Sequence, residues 1–212
     1  MKKPILLLGL TVALATSAPA AYLAYDFNSG TLNTVIPDGN AVGISFTTSL
    51  SGDSAALTDV NVILNLSSAP GYTGYNGDLY SYLISPTGTR VELFNRPGPG
   101  VAGNSGSLFN VTLDAQSPNG SIESIGATGN VSGNYTPTGN LLSFNGEDAN
   151  GTWRLFFADL SGGNTSQLVS WGLQLEVVPE PTTWGLIGFG TIWASTGVVR
   201  RWRRKRLCPA GL

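Results

Sequence analysis

Two aspartates, Asp78 and Asp159, stand beside strand-like runs in a chain otherwise short of charge, with 11% charged residues. An aspartate so placed either closes a loop by accepting backbone amides or offers a hard oxygen to calcium. No Asp-x-Asp-x-Asp loop accompanies the pair, so both readings stay open, with calcium the one cofactor in view. Glu147 and Asp148 are adjacent and in a strand would face opposite sides. Nothing in the sequence pairs either with a second carboxyl at the roughly 5–9.5 Å that glycoside hydrolysis needs. They read as turn residues and solubilising charge. Tyr72, Tyr75, Tyr80 and Tyr82 gather around Asp78 as a sugar-binding platform or as half-buried packing. The 212 residues include no His and a single Cys, Cys208. A Ser-His-Asp triad, a Cys-His dyad, a His-ligated zinc and an internal disulfide are thereby excluded. No catalytic residue is expected, and the chain reads as a non-enzyme.

The elements that must position these residues are strands. Val60, Val62, Leu64 and Leu66 alternate with polar Asn61 and Asn65. Val169, Trp171, Leu173, Leu175 and Val177 alternate with Ser170, Gly172, Gln174 and Glu176, nine residues of period two. Trp153, Leu155 and Phe157 form a third apolar face, and 78–84, 91–94 and 109–114 are shorter candidates. Asn-Gly pairs at Asn76, Asn119, Asn145 and Asn150 supply turns, and 116–140 reads as one long surface loop. No helical period of useful length occurs. The pattern predicts an all-β, jelly-roll-like antiparallel β-sandwich over residues 21–178, with Trp153 and Trp171 in its core.

Both ends read as addresses. Residues 1–20 have a positive start (Lys2, Lys3), an apolar run from Ile5 to Ala15 and small residues at Ala18 and Ala20, the pattern of a signal peptide cut after Ala20. At the other end, 182–199 carries no charge and is followed by Arg200, Arg201, Arg203, Arg204, Lys205 and Arg206. That reads as a single transmembrane helix with the basic cluster inside and the domain outside. Between Tyr22 and Val178 twelve carboxylates face three arginines, a net of −9. Such a domain repels phosphate backbones, so the membrane is an expected partner and nucleic acid is not.

Pro179-Glu180-Pro181, the apolar segment and the Arg-rich end, in that order, resemble a PEP-CTERM sorting signal over 179–206, with 207–212 a short tail. The resemblance implies an exosortase-type processing enzyme acting near Pro179, Glu180 and Pro181. It also implies a membrane-anchored precursor bound for the cell envelope or extracellular matrix.

The middle resembles the P (Homo B) domain of proprotein convertases. The matching residues are Ile36-Pro37-Asp38-Gly39, the Val60-x-Val62-x-Leu64 strand and Gly77-Asp78-Leu79. Leu83-Ile84-Ser85-Pro86-x-Gly88-Thr89, Leu93 and Phe144-x-Gly146 follow. Gly151-x-Trp153-x-Leu155 with Asp159 and Leu168-x-x-Trp171-x-Leu173 complete the order. Many P domains have a His before the Asp-Leu pair; here Ser67 to Asn76 contains none. The resemblance implies a jelly-roll fold and a binding or structural role, with an extracellular polysaccharide or a protein as ligand. Two alternatives accompany it: an accessory domain assisting a separate subtilisin-like protease, and a calcium-dependent carbohydrate or matrix binder.

Overall fold

A computed structural model describes residues 23–52 and 55–179. Ala20, Glu180, Pro181, the apolar segment 182–199, the basic cluster and the tail lie outside the described residues. The ten described strands are β1 (Leu23–Asn28), β2 (Thr34–Val35), β3 (Asn40–Leu50), β4 (Ala55–Ser68), β5 (Leu79–Ile84), β6 (Arg90–Asn95), β7 (Phe109–Leu113), β8 (Val131–Tyr135), β9 (Gly151–Asp159) and β10 (Ser166–Pro179). Short 3-10 turns cover Asn76–Asp78, Ile122–Ser124 and Leu141–Phe144. Among the described residues no helix is long and apolar enough to cross a membrane.

The strands form two sheets. One runs β1-β10-β4-β7-β8, with β2 also on β10, and the other runs β3-β9-β5-β6. Alternation decides which face is buried. Val62, Leu64 and Leu66 of β4 lie opposite Leu173, Trp171 and Leu168 of β10, and all six are buried. In the second sheet Trp153, Leu155 and Phe157 of β9 point the same way, with Leu79 and Leu83 of β5 beside them. The two inner faces close on each other as a β-sandwich. Phe94 of β6 meets Phe109 of β7 at 5.1 Å between centroids, bridging the sheets. Trp153 stands edge-on to Phe144 at 5.3 Å, and Trp171 stands edge-on to Phe27 at 4.9 Å.

The expected sandwich is present, with two differences. The β7–β8 pair is parallel, whereas the other strand pairs are antiparallel. β8 falls within 116–140, which thus holds a strand and a 3-10 turn instead of one loop. The Gly, Asn and Ser of β8 hide it from a propensity reading, because register with β7, not side-chain type, makes it a strand.

One glycine is fixed by close approach. Gly43 sits where the β3–β9 register shifts, with φ of +61°, and a Cβ there would lie 2.2 Å from the Phe157 carbonyl oxygen and 2.5 Å from Cζ of Phe156. Gly43→Ala adds a backbone clash to a left-handed conformation that costs a non-glycine residue about 1–2 kcal/mol. A denaturation midpoint lower by at least that amount is the expected result.

Candidate functional site

Three aspartates meet at one end of the second sheet, and strand register brings them there. Asp159, the last residue of β9, lies opposite Asn40 of β3 on one side and Leu79 of β5 on the other. The residues preceding or near those partners are Asp38 and Asp78. Asp159 continues the inward series Trp153, Leu155, Phe157, so its carboxylate is turned toward the interior and is 0% exposed. Asp78 is buried in the 3-10 turn, and Asp38 is exposed on the loop before β3.

Asp159 Oδ1 accepts the Ser161 backbone amide at 3.2 Å, while Oδ2 is buried without a hydrogen-bond partner. Both oxygens of Asp38 accept the Gly163 amide, at 3.1 and 3.0 Å, tying the loop before β3 to the loop after β9. Arg96 answers part of this charge. Its Nη2 lies 3.6 Å from Asp78 Oδ1 and donates to Ser161 Oγ at 2.7 Å, and its Nε donates to the Gly77 carbonyl at 3.2 Å. Arg96 holds these contacts from φ of +58°, a left-handed conformation uncommon outside glycine. Burial raises Asp159 from the ordinary 3.8 to about 6; the Ser161 and Gly39 amides oppose the rise, and Asp78 and Asp38 add to it. Burial also raises Asp78, against its bond to Ser161 and the nearby Arg96, with Asp38 adding to the rise.

Gly77 and Leu79 flank Asp78 for structural reasons. A Cβ on Gly77 would lie 2.2 Å from the Ala102 carbonyl, because the loop 96–106 presses against the turn. That loop is held by Asn104. Its Oδ1 accepts Asn76 Nδ2 at 2.9 Å and the Gly106 amide at 2.8 Å, and its Nδ2 donates to the Gly126 carbonyl at 2.7 Å.

A second carboxylate, at the other end of the same sheet, reads differently from its sequence. Glu147 is not simple surface charge. It faces the β5–β6 turn, where Ser85, Pro86, Thr87, Gly88 and Thr89 form a tight loop closed by the Gly88 amide on the Ser85 carbonyl at 3.0 Å. Thr89 Oγ1 donates to Glu147 Oε1. Burial pushes the Glu147 carboxyl up, but the hydroxyls of Ser85, Thr87 and Thr89 outweigh it and leave the pKa below 4.5. The Ser-Pro-x-Gly-Thr run is thus a hydroxyl nest for one glutamate. Asp148 turns elsewhere, accepting Asn150 N and Nδ2 at 3.0 and 2.9 Å.

The four tyrosines separate. Tyr80 and Tyr82 lie on the outer face of the second sheet, Tyr75 precedes the 3-10 turn, and Tyr72 is exposed on the loop before it. Tyr82 stacks on Phe156 at 4.5 Å and 12°, and the Arg90 guanidinium lies 4.1 Å over its ring. Arg90 also donates to the Tyr80 hydroxyl. Both faces of Tyr82 are therefore occupied by the protein's own side chains, which makes this cluster outer-face packing and not a platform. Pro37 and Asp38 share the loop before β3, Trp153 and Trp171 are core, and Pro179 ends β10.

The motifs and their spatial arrangement agree with an independent comparison. The profile of the proprotein convertase P-domain matches residues 57–175. This chain belongs to the P-domain family. The matched span runs from β4 into β10 and contains Asp78, Glu147 and Asp159, while Asp38 and the first three strands precede it. The P-domain is a non-catalytic accessory module, and no catalytic domain accompanies it among the described residues. Two solved structures from Aeromonas sobria are similar. The serine protease complexed with its chaperone matches at 20% identity and a TM-score of 0.46, covering 77% of this chain and 28% of that one. The serine protease by itself matches at 20% identity and a TM-score of 0.44, covering 78% and 28%. This chain thus spans little more than a quarter of the chains it resembles. No protein of curated function matches it.

Proposed function

We propose that this chain is an exported, non-catalytic P-domain protein, delivered to the cell envelope or extracellular matrix by a C-terminal sorting signal. There the P-domain acts as a binding and structural module toward an extracellular polysaccharide or protein. The observation that carries this reading is the P-domain match over residues 57–175, which ends before the Pro-Glu-Pro motif at 179–181. β10 pairs with β4 as far as Pro179, opposite Ala55, so the paired strands of the sandwich precede Glu180. A cut just beyond Pro179 would release the whole sandwich and remove the apolar segment together with every C-terminal arginine.

The test is the intact mass and C-terminal peptide of the mature protein isolated from its host. A C-terminus close to Pro179–Pro181 that is lost when the exosortase-type enzyme is deleted is the expected result. An uncut chain ending at Leu212 would leave only the anchor. The family itself favours a second reading, in which the domain assists a separate subtilisin-like protease. In that case a protease from the same cells would be recovered with the domain and would lose heat resistance without it.

A further inference from the structure

The two flanks of the sandwich are finished differently. On one, the Glu92 and Leu93 carbonyls of β6 accept the Gly139 and Thr138 amides at 2.8 and 3.0 Å, and the segment 116–140 that brings those amides buries Ile122, Ile125 and Val131. The other flank, formed by β1 and β3, stays open. Tyr25 of β1 and Leu50 of β3 line one small cavity there, so the two edge strands stand one over the other. Tyr25, Phe27, Ile44, Phe46 and Leu50 point inward yet are only half-buried. Among the described residues no backbone group of 43–50 bonds to anything beyond β9. β3 is 11 residues long and contains neither a charge nor a proline. Natural edges are usually blunted by charge, proline or shortness, because a bare edge is a template for another strand. The bulge at Gly43 blunts only the start of β3 and leaves 44–50 in regular register.

We propose that this flank is where two copies of the chain pair, β3 of one antiparallel to β3 of the other about a two-fold axis. Such an interface is isologous, the same patch serving both partners. Strand alternation makes the patch match itself: Ile44, Phe46 and Leu50 of both copies share the inner face, and Ser45, Thr47 and Ser49 share the outer. The two four-stranded sheets then run on as one, and each half-buried apolar row is covered by its twin. Charge selects a second copy as the occupant. Twelve carboxylates against three arginines make two domains repel over most of their surface, whereas residues 39–52 carry no charge at all. Asp26 of β1 lies on the outer face of the other sheet, and neither β1 nor β3 offers a cation to an acidic strand.

The experiment is sedimentation equilibrium of the full-length chain in density-matched detergent, with amide hydrogen exchange at several concentrations. A reversible dimer is expected, with protection of 44–50 that rises with concentration. Ser45 and Thr47 are exposed, so the double variant Ser45→Lys/Thr47→Lys leaves the core alone. It reduces the net negative charge, which by itself would favour association. Paired across β3 it sets like charges against each other, and should raise the dissociation constant by about tenfold or more. Asn110→Lys/Ser132→Lys adds the same charge to exposed positions of β7 and β8 and should dimerise at least as well as the parent. A monomeric parent overturns the proposal. So does a dimer that Ser45→Lys/Thr47→Lys leaves intact, which would be held by another part of the chain. Protection of 44–50 that is the same at every concentration also overturns it, and would mean that residues 180–212 of the same chain cover the edge.

Discussion

Replacing Trp153 with alanine will cost the domain about 3–5 kcal/mol, the range for a fully buried Trp or Phe truncated in a packed core. The side chain is 0% exposed, packs edge-on against Phe144, and donates Nε1–H to the Ala149 carbonyl at 3.0 Å. Truncation therefore opens a cavity and leaves a buried carbonyl without its donor. At about 2–4 °C per kcal/mol for a domain of this size, the thermal midpoint should fall by roughly 6–20 °C. Trp153→Phe keeps an aromatic ring but loses the donor and part of the volume, so it should lie between the two. Calorimetry on parent and both variants reads the series directly, and equal midpoints for parent and Trp153→Ala would mean that the core is not organised around this ring.

The second large effect is on pH dependence. Asp159 is raised from 3.8 to about 6, so in that interval the folded chain binds a proton that the unfolded chain does not. Stability tied to this group is fully present below pH 3.8 and is lost as pH rises through 6. At 1.36 kcal/mol per unit, the loss is at most about 3 kcal/mol by neutral pH. Asp78, also raised, adds in the same direction. Glu147 acts oppositely: its pKa is lowered, so its contribution is present above 4.5 and disappears as pH falls through its folded value. Stability tied to the two aspartates should therefore be greatest in the acid range and fall between about pH 4 and 6.5. Asp159→Asn should flatten the curve between pH 4 and 6.5 and raise stability at pH 7. Urea midpoints measured at half-unit steps test both statements, and a parent curve that is flat from pH 4.5 to 7 contradicts them.

The sequence was most legible where strands are buried on one face and polar on the other. β4, β9 and β10 have unbroken alternation, and their register places Val62, Leu64, Trp153 and Trp171 in the core as the pattern requires. β1 and β3 gave no such signal. Their inner residues Tyr25, Phe27, Ile44 and Phe46 are only partly buried, and each pair is separated by one polar residue, Asp26 or Ser45. At the site, Asp38, Asp78 and Asp159 each stood in a recognisable motif. Their meeting was not legible, because it depends on Asp159 facing Asn40 and Leu79 across two ladders far apart in sequence. Arg96 gave no sign at all: its place before Pro97 favours an extended backbone, yet it adopts a positive φ. The setting of Glu147 is hidden for a related reason, since its hydroxyl partners come from a turn some 60 residues earlier.

The position of β10 has a consequence for synthesis. The last strand of the domain is not an edge but the spine of the larger sheet, flanked by β1 and β2 on one side and β4 on the other. Until residue 179 has been made, β1 and β4 have no partner between them, and Val62, Leu64 and Leu66 lack the strand that seals them. The larger sheet therefore stays incomplete until β10 has been made. Its completion is tied to the emergence of its last described strand.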